Sequence, residues 1–141
     1  MLFRWPPVFC FDFNGNIQWK LKLKGGVRGA ITISRDNYVI VPTLSGIIFK
    51  IDKFQGVILK RFSVGTKNRG LWTSIAITRE NNLLFSVYKG ENKGSIMYMN
   101  SNTGEVIWEI ICGKVLSVPV IDRDGNLYFG TWDNDYLKYT F

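Results

Sequence analysis

The residues best suited to chemistry are a cluster of oxygen-bearing side chains near the carboxyl end. Asp122, Asp124 and Asn126 lie in a DxDGN run, and clustered carboxylate and amide oxygens are ligands that calcium prefers. The distal Glu of a helix-flanked calcium loop is absent, and the equivalent runs SRDNY and TRENN are ordinary hairpin turns. The pattern therefore favours a turn over an ion site, and no metal is expected.

Three arginines recur beside these turns. Arg35, Arg79 and Arg123 are spaced at intervals of 44 residues. Because equivalent positions of a repeat lie on one side of the assembly, the three side chains could form a basic rim for a protein partner. Solvated turn residues are the alternative. Trp132, in a turn after the last of these runs, is the fourth candidate for the partner-binding rim.

The composition argues against several kinds of site. The 141 residues contain no histidine, and the two cysteines, Cys10 and Cys112, are far apart, so a zinc site is not expected. Both cysteines lie in apolar runs, which favours buried thiols; one bridge in an oxidising compartment is the alternative. No set of residues forms a catalytic constellation, so we predict neither an enzyme nor a bound cofactor.

The net charge of +7 comes from 18 basic and 11 acidic residues that are spread along the chain. Lys20, Lys22 and Lys24 alternate with apolar residues, which favours the solvated face of a strand over an anion-binding or nucleic-acid-binding surface. No apolar run approaches the ~20 residues of a membrane span, and the start lacks the features of a secretory signal. The chain as written is therefore expected to be soluble and unexported. Its compartment stays undecided: cytoplasmic if the chain is complete, periplasmic or extracellular if it is part of an exported relative.

The elements that position these residues form a repeat. The run SVPVIDRDGNLYFGT, from Ser117 to Thr131, aligns without gaps with the runs 44 and 88 residues upstream. Such a period in a β-rich sequence is typical of a propeller, each repeat being one blade. We predict an all-β single domain, 1–141, with four-stranded antiparallel blades in a partial ring of about three; a β-sandwich-like stack of short sheets is the alternative. The predicted units are a partial blade 8–23, a blade 30–62, a blade 73–111 and a partial blade 118–141.

A second motif follows the third strand of each unit, in the runs DFNGNIQW, DKFQGVILK and NSNTGEVIW. The Asp or Asn accepts hydrogen bonds from the amides of the turn, and the Gly permits a positive φ. The Trp is expected to pack between neighbouring blades, with its indole N–H on a carbonyl group. The middle run has Lys60 where Trp is expected, which should weaken one contact between blades. The predicted structural positions are Asp12, Gly15, Trp19, Asp52, Gly56, Asn100, Thr103, Gly104 and Trp108.

These motifs resemble the PQQ-type repeat of quinoprotein-like β-propellers over most of residues 8 to 141. The chain is similar in particular to the propeller lipoproteins of outer-membrane β-barrel assembly, whose relatives bind protein partners. The resemblance thus implies a non-catalytic scaffold for protein interaction. Dehydrogenases of this family bind pyrroloquinoline quinone in an eight-bladed ring, and the residues for that cofactor cannot be placed here. A fragment of a PQQ-dependent dehydrogenase and a sensor domain for a small ligand remain alternatives.

The strand count predicts self-association. The first unit contributes two strands and the last three, so blade edges and sheet faces are left open. We expect a homo-oligomer, a dimer or a larger ring, in which the amino-terminal strands of one chain complete the last blade of another. Two plus three strands exceed a four-stranded blade by one.

Overall fold

The computed structural model describes residues 7–64 and 70–132, and within these ranges the secondary structure consists of 13 β-strands with no helix. The strands are β1 (Val8–Phe11), β2 (Ile17–Leu21), β3 (Thr32–Ile33), β4 (Tyr38–Pro42), β5 (Ile47–Asp52), β6 (Ile58–Ser63), β7 (Ala76–Ile77), β8 (Leu83–Gly90), β9 (Lys93–Met99), β10 (Val106–Val115), β11 (Val120–Ile121), β12 (Leu127–Tyr128) and β13 (Thr131–Trp132). In the described part of the chain, no helix could cross a membrane.

The strands form four antiparallel sheets that follow one another along the chain. Sheet I contains β1 and β2, and sheet II contains β3 to β6 in sequence order. Sheet III has the order β13-β10-β9-β8-β7, and sheet IV contains β11 and β12. Except for β10 and β13, neighbouring strands are joined by short hairpins, which antiparallel pairing permits. All residues with positive φ other than Gly25 lie in these hairpins, for example Asn37 at 68° and Asn81 at 64°, and Asn tolerates this conformation better than most residues.

The core lies between the sheets. Along β4, Val39 and Val41 pack against sheet I, whereas Ile40 between them packs against sheet III. This alternation follows from the two-residue period of a strand, and it buries both faces of sheet II. Sheet III is covered in the same way on its other face, where Leu84 packs with Ile121 of sheet IV. Within the described residues, each sheet is thus covered by the sheets next to it in sequence, which is the arrangement of blades in a propeller. The predicted all-β, partial-propeller fold is confirmed.

Two details of the carboxyl-terminal half differ from the sequence prediction. The polar composition of the run from Lys89 to Gly94 predicts a loop tip, but β8 and β9 continue through it to a two-residue turn. Glu91 and Asn92 form that turn with φ angles of 47° and 62°, and two positive φ angles match the twist of the flanking strands. Trp132 was expected in a turn but lies in β13, where it pairs with Lys114 of β10. The predicted strand 136–141 lies outside the described residues.

The two cysteines do not form a disulfide. Cys10 lies half-buried in sheet I, and Cys112 is buried in sheet III among the residues that face sheet IV.

Candidate functional site

An open cleft of about 900 Å³ lies between sheets III and IV. Arg35, Arg79 and Arg123, which follow β3, β7 and β11, all line it. Because each arginine occupies the first turn of its sheet, stacking the sheets brings the three turns to the same side. The structure thus brings together three of the four residues of the predicted rim. Trp132 is exposed and does not line this cleft.

The three arginines have different surroundings. Arg35 joins sheet II to sheet III, since its Nε donates to the Thr78 carbonyl oxygen at 2.9 Å and its backbone N–H donates to Asn81 Oδ1 at 2.7 Å. The residue equivalent to Asn81 in sheet IV is Gly125, which has no side-chain acceptor. Arg79 and Arg123 are exposed, and within residues 7–64 and 70–132 their guanidinium groups have no hydrogen bond or ion pair.

Asp122, at the edge of the cleft, uses its carboxylate to hold the turn after β11. Its Oδ1 accepts hydrogen bonds from the backbone N–H groups of Asp124 at 2.9 Å and Asn126 at 2.8 Å. Its Oδ2 accepts from Asn126 Nδ2 at 2.9 Å and from the Tyr128 hydroxyl at 3.0 Å. The bonds from Asn126, and then that from Tyr128, lower the pKa of Asp122. The DxDGN run is thus a self-contained turn. In the described part of the chain, no group of three or more His, Cys, Asp or Glu residues could hold a metal ion.

The inner wall of the cleft is apolar and belongs mainly to sheet III. It contains Ile77, Leu84, Tyr98 and Trp108. The Tyr98 and Trp108 rings lie 5.3 Å apart between centroids, and Trp108 is 38% exposed. An exposed Trp beside other apolar groups is a common binding surface in proteins. The cleft therefore combines an apolar wall with a rim that carries unpaired arginines.

The Trp of the repeat motif ties sheet I to sheet II. Trp19 Nε1 donates to the Lys53 carbonyl oxygen at 2.7 Å. Its ring lies on Gly56, where a Cβ atom would come within 2.6 Å of Trp19 Cδ2. Asp52 accepts the amides of Phe54 and Gln55 at 2.9 and 2.8 Å, which holds the turn that the indole covers.

Between sheets II and III, two side chains make the contacts that Trp19 makes alone between sheets I and II. The Lys60 ammonium donates to the Asn102 carbonyl oxygen. The Phe62 ring lies on Gly104, where a Cβ atom would collide with it. Asn100 holds this turn, because its Oδ1 accepts the amides of Asn102 and Thr103 at 2.8 and 3.0 Å. The contact between sheets II and III therefore keeps both the hydrogen bond to a carbonyl and the ring packed on a glycine, although Lys60 stands in place of the Trp.

The third contact of this series is not formed within the part of the chain that the structure describes. Trp108 should cover the turn of the next unit, and no such turn is present in the described residues. At the other end of the chain, no described side chain covers the turn of sheet I. Gly15 has a positive φ of 84°, like Gly56 and Gly104 in the two covered turns. A Cβ atom built at Gly15, however, would have no neighbour within 4 Å. Asp12 holds this turn through the amides of Asn14 and Asn16, both at 2.9 Å.

The sequence analysis missed a buried lysine near the arginine rim. Lys50 is buried in sheet II, and its Nζ lies 3.2 Å from Asp36 Oδ2 and 3.2 Å from Asn102 Oδ1. The ammonium also lies 4.4 Å from the centroid of the Tyr38 ring. An inward lysine within the run IIFKID was the available signal, because the residues on either side of it face sheet I.

The pKa of Asp36 reflects the presence of this lysine. Partial burial of the carboxylate acts to raise its pKa, but hydrogen bonds from Ser34, Asn81 and Lys50, together with the charge of Lys50, lower the pKa to about 2. The carboxylate therefore stays ionised and compensates the buried ammonium.

A second group of residues also escaped sequence analysis. The Trp72 and Tyr88 rings lie 4.9 Å apart, and Arg28 Cζ lies 4.9 Å from the Trp72 centroid. Lys114 Nζ lies 5.2 Å from the Tyr88 centroid on the same aromatic pair. These cation–π contacts connect segments that are far apart in sequence.

Stacked antiparallel sheets, cores between them and a repeated contact of a large side chain on a turn glycine define a partial β-propeller. Solved structures with this fold include BamB from Moraxella catarrhalis, a PQQ-like propeller lipoprotein, with a TM-score of 0.62 and 15% identity over 82% of this chain and 34% of that one. A Bacteroides caccae protein of unknown function gives 0.68 and 14% over 91% and 47%. A europium-containing methanol dehydrogenase gives 0.59 and 18% over 69% and 19%.

At these identities the similarity shows the fold alone. The chain spans less than half the length of each of the three proteins. No family model matches the chain, and no curated protein sequence is significantly similar to it.

Proposed function

We propose that this chain is a non-catalytic propeller module that binds an acidic segment of a protein partner at the arginine rim. The observation that supports this function is the pair Arg79 and Arg123, whose unpaired guanidinium groups line one cleft. A guanidinium presents several donors in a plane, which fits a carboxylate in a bidentate manner. Arg35 differs in role, since it is committed to Thr78 and Asn81 and would keep the turns in place.

The proposal includes self-association. Among residues 7–64 and 70–132, sheets I and IV each have one face that no other sheet covers, and these faces carry exposed apolar side chains such as Phe11 and Val120. Apolar patches of this kind are typical of interaction surfaces. The scaffold would thus use its rim for a partner and its terminal sheets for another copy.

The test for the rim uses two panels of synthetic peptides with the same apolar residues, one with Asp and Glu and one with Lys at the charged positions. Binding is measured by fluorescence anisotropy at several salt concentrations. The acidic panel should bind, and R79E/R123E should weaken this binding at least tenfold. The matched control is K22E/K24E, which makes the same charge change at exposed residues outside the cleft. Equal binding of both panels, or an equal loss in both variants, would contradict the proposal.

A further inference from the structure

We propose that the cluster of two cations and two aromatic rings described above binds the phosphate group of a small phosphate monoester. The members of this cation–aromatic site are Arg28, Trp72, Tyr88 and Lys114. None of them lines the cleft that holds the arginine rim, so the inference is independent of the function proposed above.

The cation–aromatic site lies at the opposite end of the sheets from the arginine rim. The rim arginines follow the first strand of their sheets, whereas Arg28 precedes β3 and Trp72 precedes β7. Tyr88 lies in β8 close to the β8–β9 hairpin, and Lys114 lies at the end of β10, where the chain leaves sheet III. Because successive strands are antiparallel, all four positions lie at the same end of the sheets, away from the first turns.

A close backbone approach holds Arg28 beside Trp72. A Cβ atom at Gly29 would come within 2.3 Å of the Thr73 carbonyl oxygen, so the segments that enter sheets II and III touch directly after these two residues. The Arg28 Cζ atom lies 4.9 Å from the Trp72 ring centroid. A side chain larger than hydrogen at residue 29 would separate the two segments, so this glycine is needed for the contact.

The rings position the two cations and leave them able to donate hydrogen bonds. Lys114 Nζ lies 5.4 Å from the Trp72 centroid and 5.2 Å from the Tyr88 centroid. The attraction of a cation to a ring face does not use the N–H groups that point away from the ring. Within residues 7–64 and 70–132, Arg28 and Lys114 have no hydrogen bond or ion pair through their charged groups. Cations held in place in this way lose less entropy when a ligand binds.

The charge at this end of the sheets is mainly positive. Both cations of the site lie near the Trp72 ring, which places them within about 10 Å of each other, roughly one Debye length at 0.1 M salt. Lys24 and Lys93 lie at the same end. In the described ranges, the acidic residues other than Glu91 and Glu109 lie in turns at the rim end, namely Asp12, Asp36, Asp52, Glu80, Glu105, Asp122 and Asp124. A bound anion would reduce the repulsion between these like charges.

The repeat shows that the fold does not require these side chains. The positions equivalent to Tyr88 and Lys114 in the preceding unit are Leu44 and Gly70. The backbone contact at this place is nevertheless the same in both units. The Leu44 N–H donates to the Gly26 carbonyl oxygen at 2.8 Å. The Tyr88 N–H donates to the Gly70 carbonyl oxygen at 3.1 Å. The aromatic and basic side chains of the site are therefore additions to the common blade structure.

Two adjacent cations favour a doubly charged group. A phosphate monoester carries a charge of about −1.5 to −2 at pH 7, and its three terminal oxygens can accept from a guanidinium and an ammonium together. A carboxylate carries one charge and two oxygens. The Trp72 and Tyr88 rings already hold the cations, so the site recognises the phosphate group and needs no aromatic part of the ligand.

The test follows the indole N–H signal of Trp72 in NMR spectra at constant ionic strength. Loss of the signal in Trp72→Phe assigns it. Glycerol 3-phosphate, a soluble monoester, should shift the signal saturably. Dimethyl phosphate, a singly charged diester, should bind at least about tenfold more weakly. R28Q/K114Q should raise the dissociation constant for glycerol 3-phosphate by at least about tenfold, because both charged donors are removed.

The matched control is K20Q/R61Q. It also removes one lysine and one arginine that lie over aromatic rings, with Lys20 Nζ 5.4 Å from the Phe9 centroid and Arg61 Cζ 6.0 Å from that of Phe49. These residues lie in β2 and β6, outside the cation–aromatic site. The control therefore makes the same change in net charge and should leave binding of the monoester unchanged.

Each result supports the site or overturns it. A saturable shift that R28Q/K114Q weakens and K20Q/R61Q does not supports the site. An absent shift, equal affinity for the monoester and the diester, or an equal response of the two variants overturns it. Sedimentation with phosphatidylcholine vesicles that contain phosphatidic acid distinguishes the source of the phosphate. Binding to these vesicles without binding to glycerol 3-phosphate would overturn the small ligand.

Discussion

The indole nitrogen of Trp19 lies 2.7 Å from the carbonyl oxygen of Lys53, and this hydrogen bond crosses from sheet I to sheet II. The same ring covers Gly56, so one side chain fixes both the polar and the apolar part of the contact. This partly buried hydrogen bond avoids the free-energy cost of an unsatisfied carbonyl where the two sheets meet. The contact sets how one sheet is positioned on the next.

Gly56→Ala should destabilise the fold by about 2–4 kcal/mol, from backbone strain and overpacking together. The Cβ atom would come within 2.6 Å of Trp19 Cδ2, at a φ of 66°. Urea unfolding followed by circular dichroism measures the loss. Gly125→Ala is the control, since Gly125 has a φ of 87° but open space around it, and it isolates the backbone term. An equal loss in both variants would show that the Trp19 contact adds nothing.

Trp19→Ala and Trp108→Ala should differ in cost. Trp19 packs on the turn of the next sheet, so its truncation to Ala should lower the free energy of unfolding by about 3–5 kcal/mol. Trp108 is 38% exposed, so the single chain should lose only about 1–2 kcal/mol at that position. Unfolding at a concentration where the chain is monomeric measures both. A loss at Trp108 as large as that at Trp19 would mean that its ring is already fully covered within one chain.

Asp36 should make stability fall in acid. Its carboxyl pKa is lowered to about 2 in the folded chain from an ordinary value of 3.8, so its contribution is present above about pH 4. That contribution is lost as the pH falls from about 4 towards 2. Asp36→Asn should remove this part of the pH dependence and lower stability at pH 7 by about 1–2 kcal/mol, allowing for solvent screening of the partly exposed carboxylate.

Urea midpoints at pH 7, 4 and 2.5 test this expectation. Asp124→Asn, at the equivalent turn of sheet IV, is the control and should leave the acid sensitivity of the protein largely unchanged. If the urea midpoints of the wild type and of Asp36→Asn fall by the same amount between pH 7 and 2.5, the Asp36–Lys50 pair does not contribute to the loss of stability in acid.

The repeat made the fold predictable from sequence, because residues 44 apart must take equivalent places in successive sheets. The same spacing predicted that three arginines would meet at one rim. Trp132 was less predictable, since its place depends on pairing with Lys114, which belongs to the preceding repeat unit. The hairpin tip at Glu91 was missed because glycines on both sides of it suggested a loop, whereas two residues of positive φ allow the strands to continue.

The contacts that replace the motif were harder to foresee. Lys60 seemed a weak point because the motif was compared one position at a time, whereas Phe62 supplies the missing ring two residues later. The burial of Lys50 depends on Asp36 and on Asn102, which is 52 residues away in the chain. A sequence pattern reports the alternation of a strand, but it does not report which distant polar group meets an inward charge.

The arginine rim has a consequence for avidity. Arg35, Arg79 and Arg123 each mark the first turn of one sheet, so each chain carries one such rim. Two copies that associate, as proposed above, would carry two rims. A partner with two acidic segments could engage both rims at once, and its release would require both contacts to break together. Linked binding of this kind strengthens attachment by about 10²–10⁴-fold without any new contact, so a dimeric acidic partner should be retained where its monomer is lost.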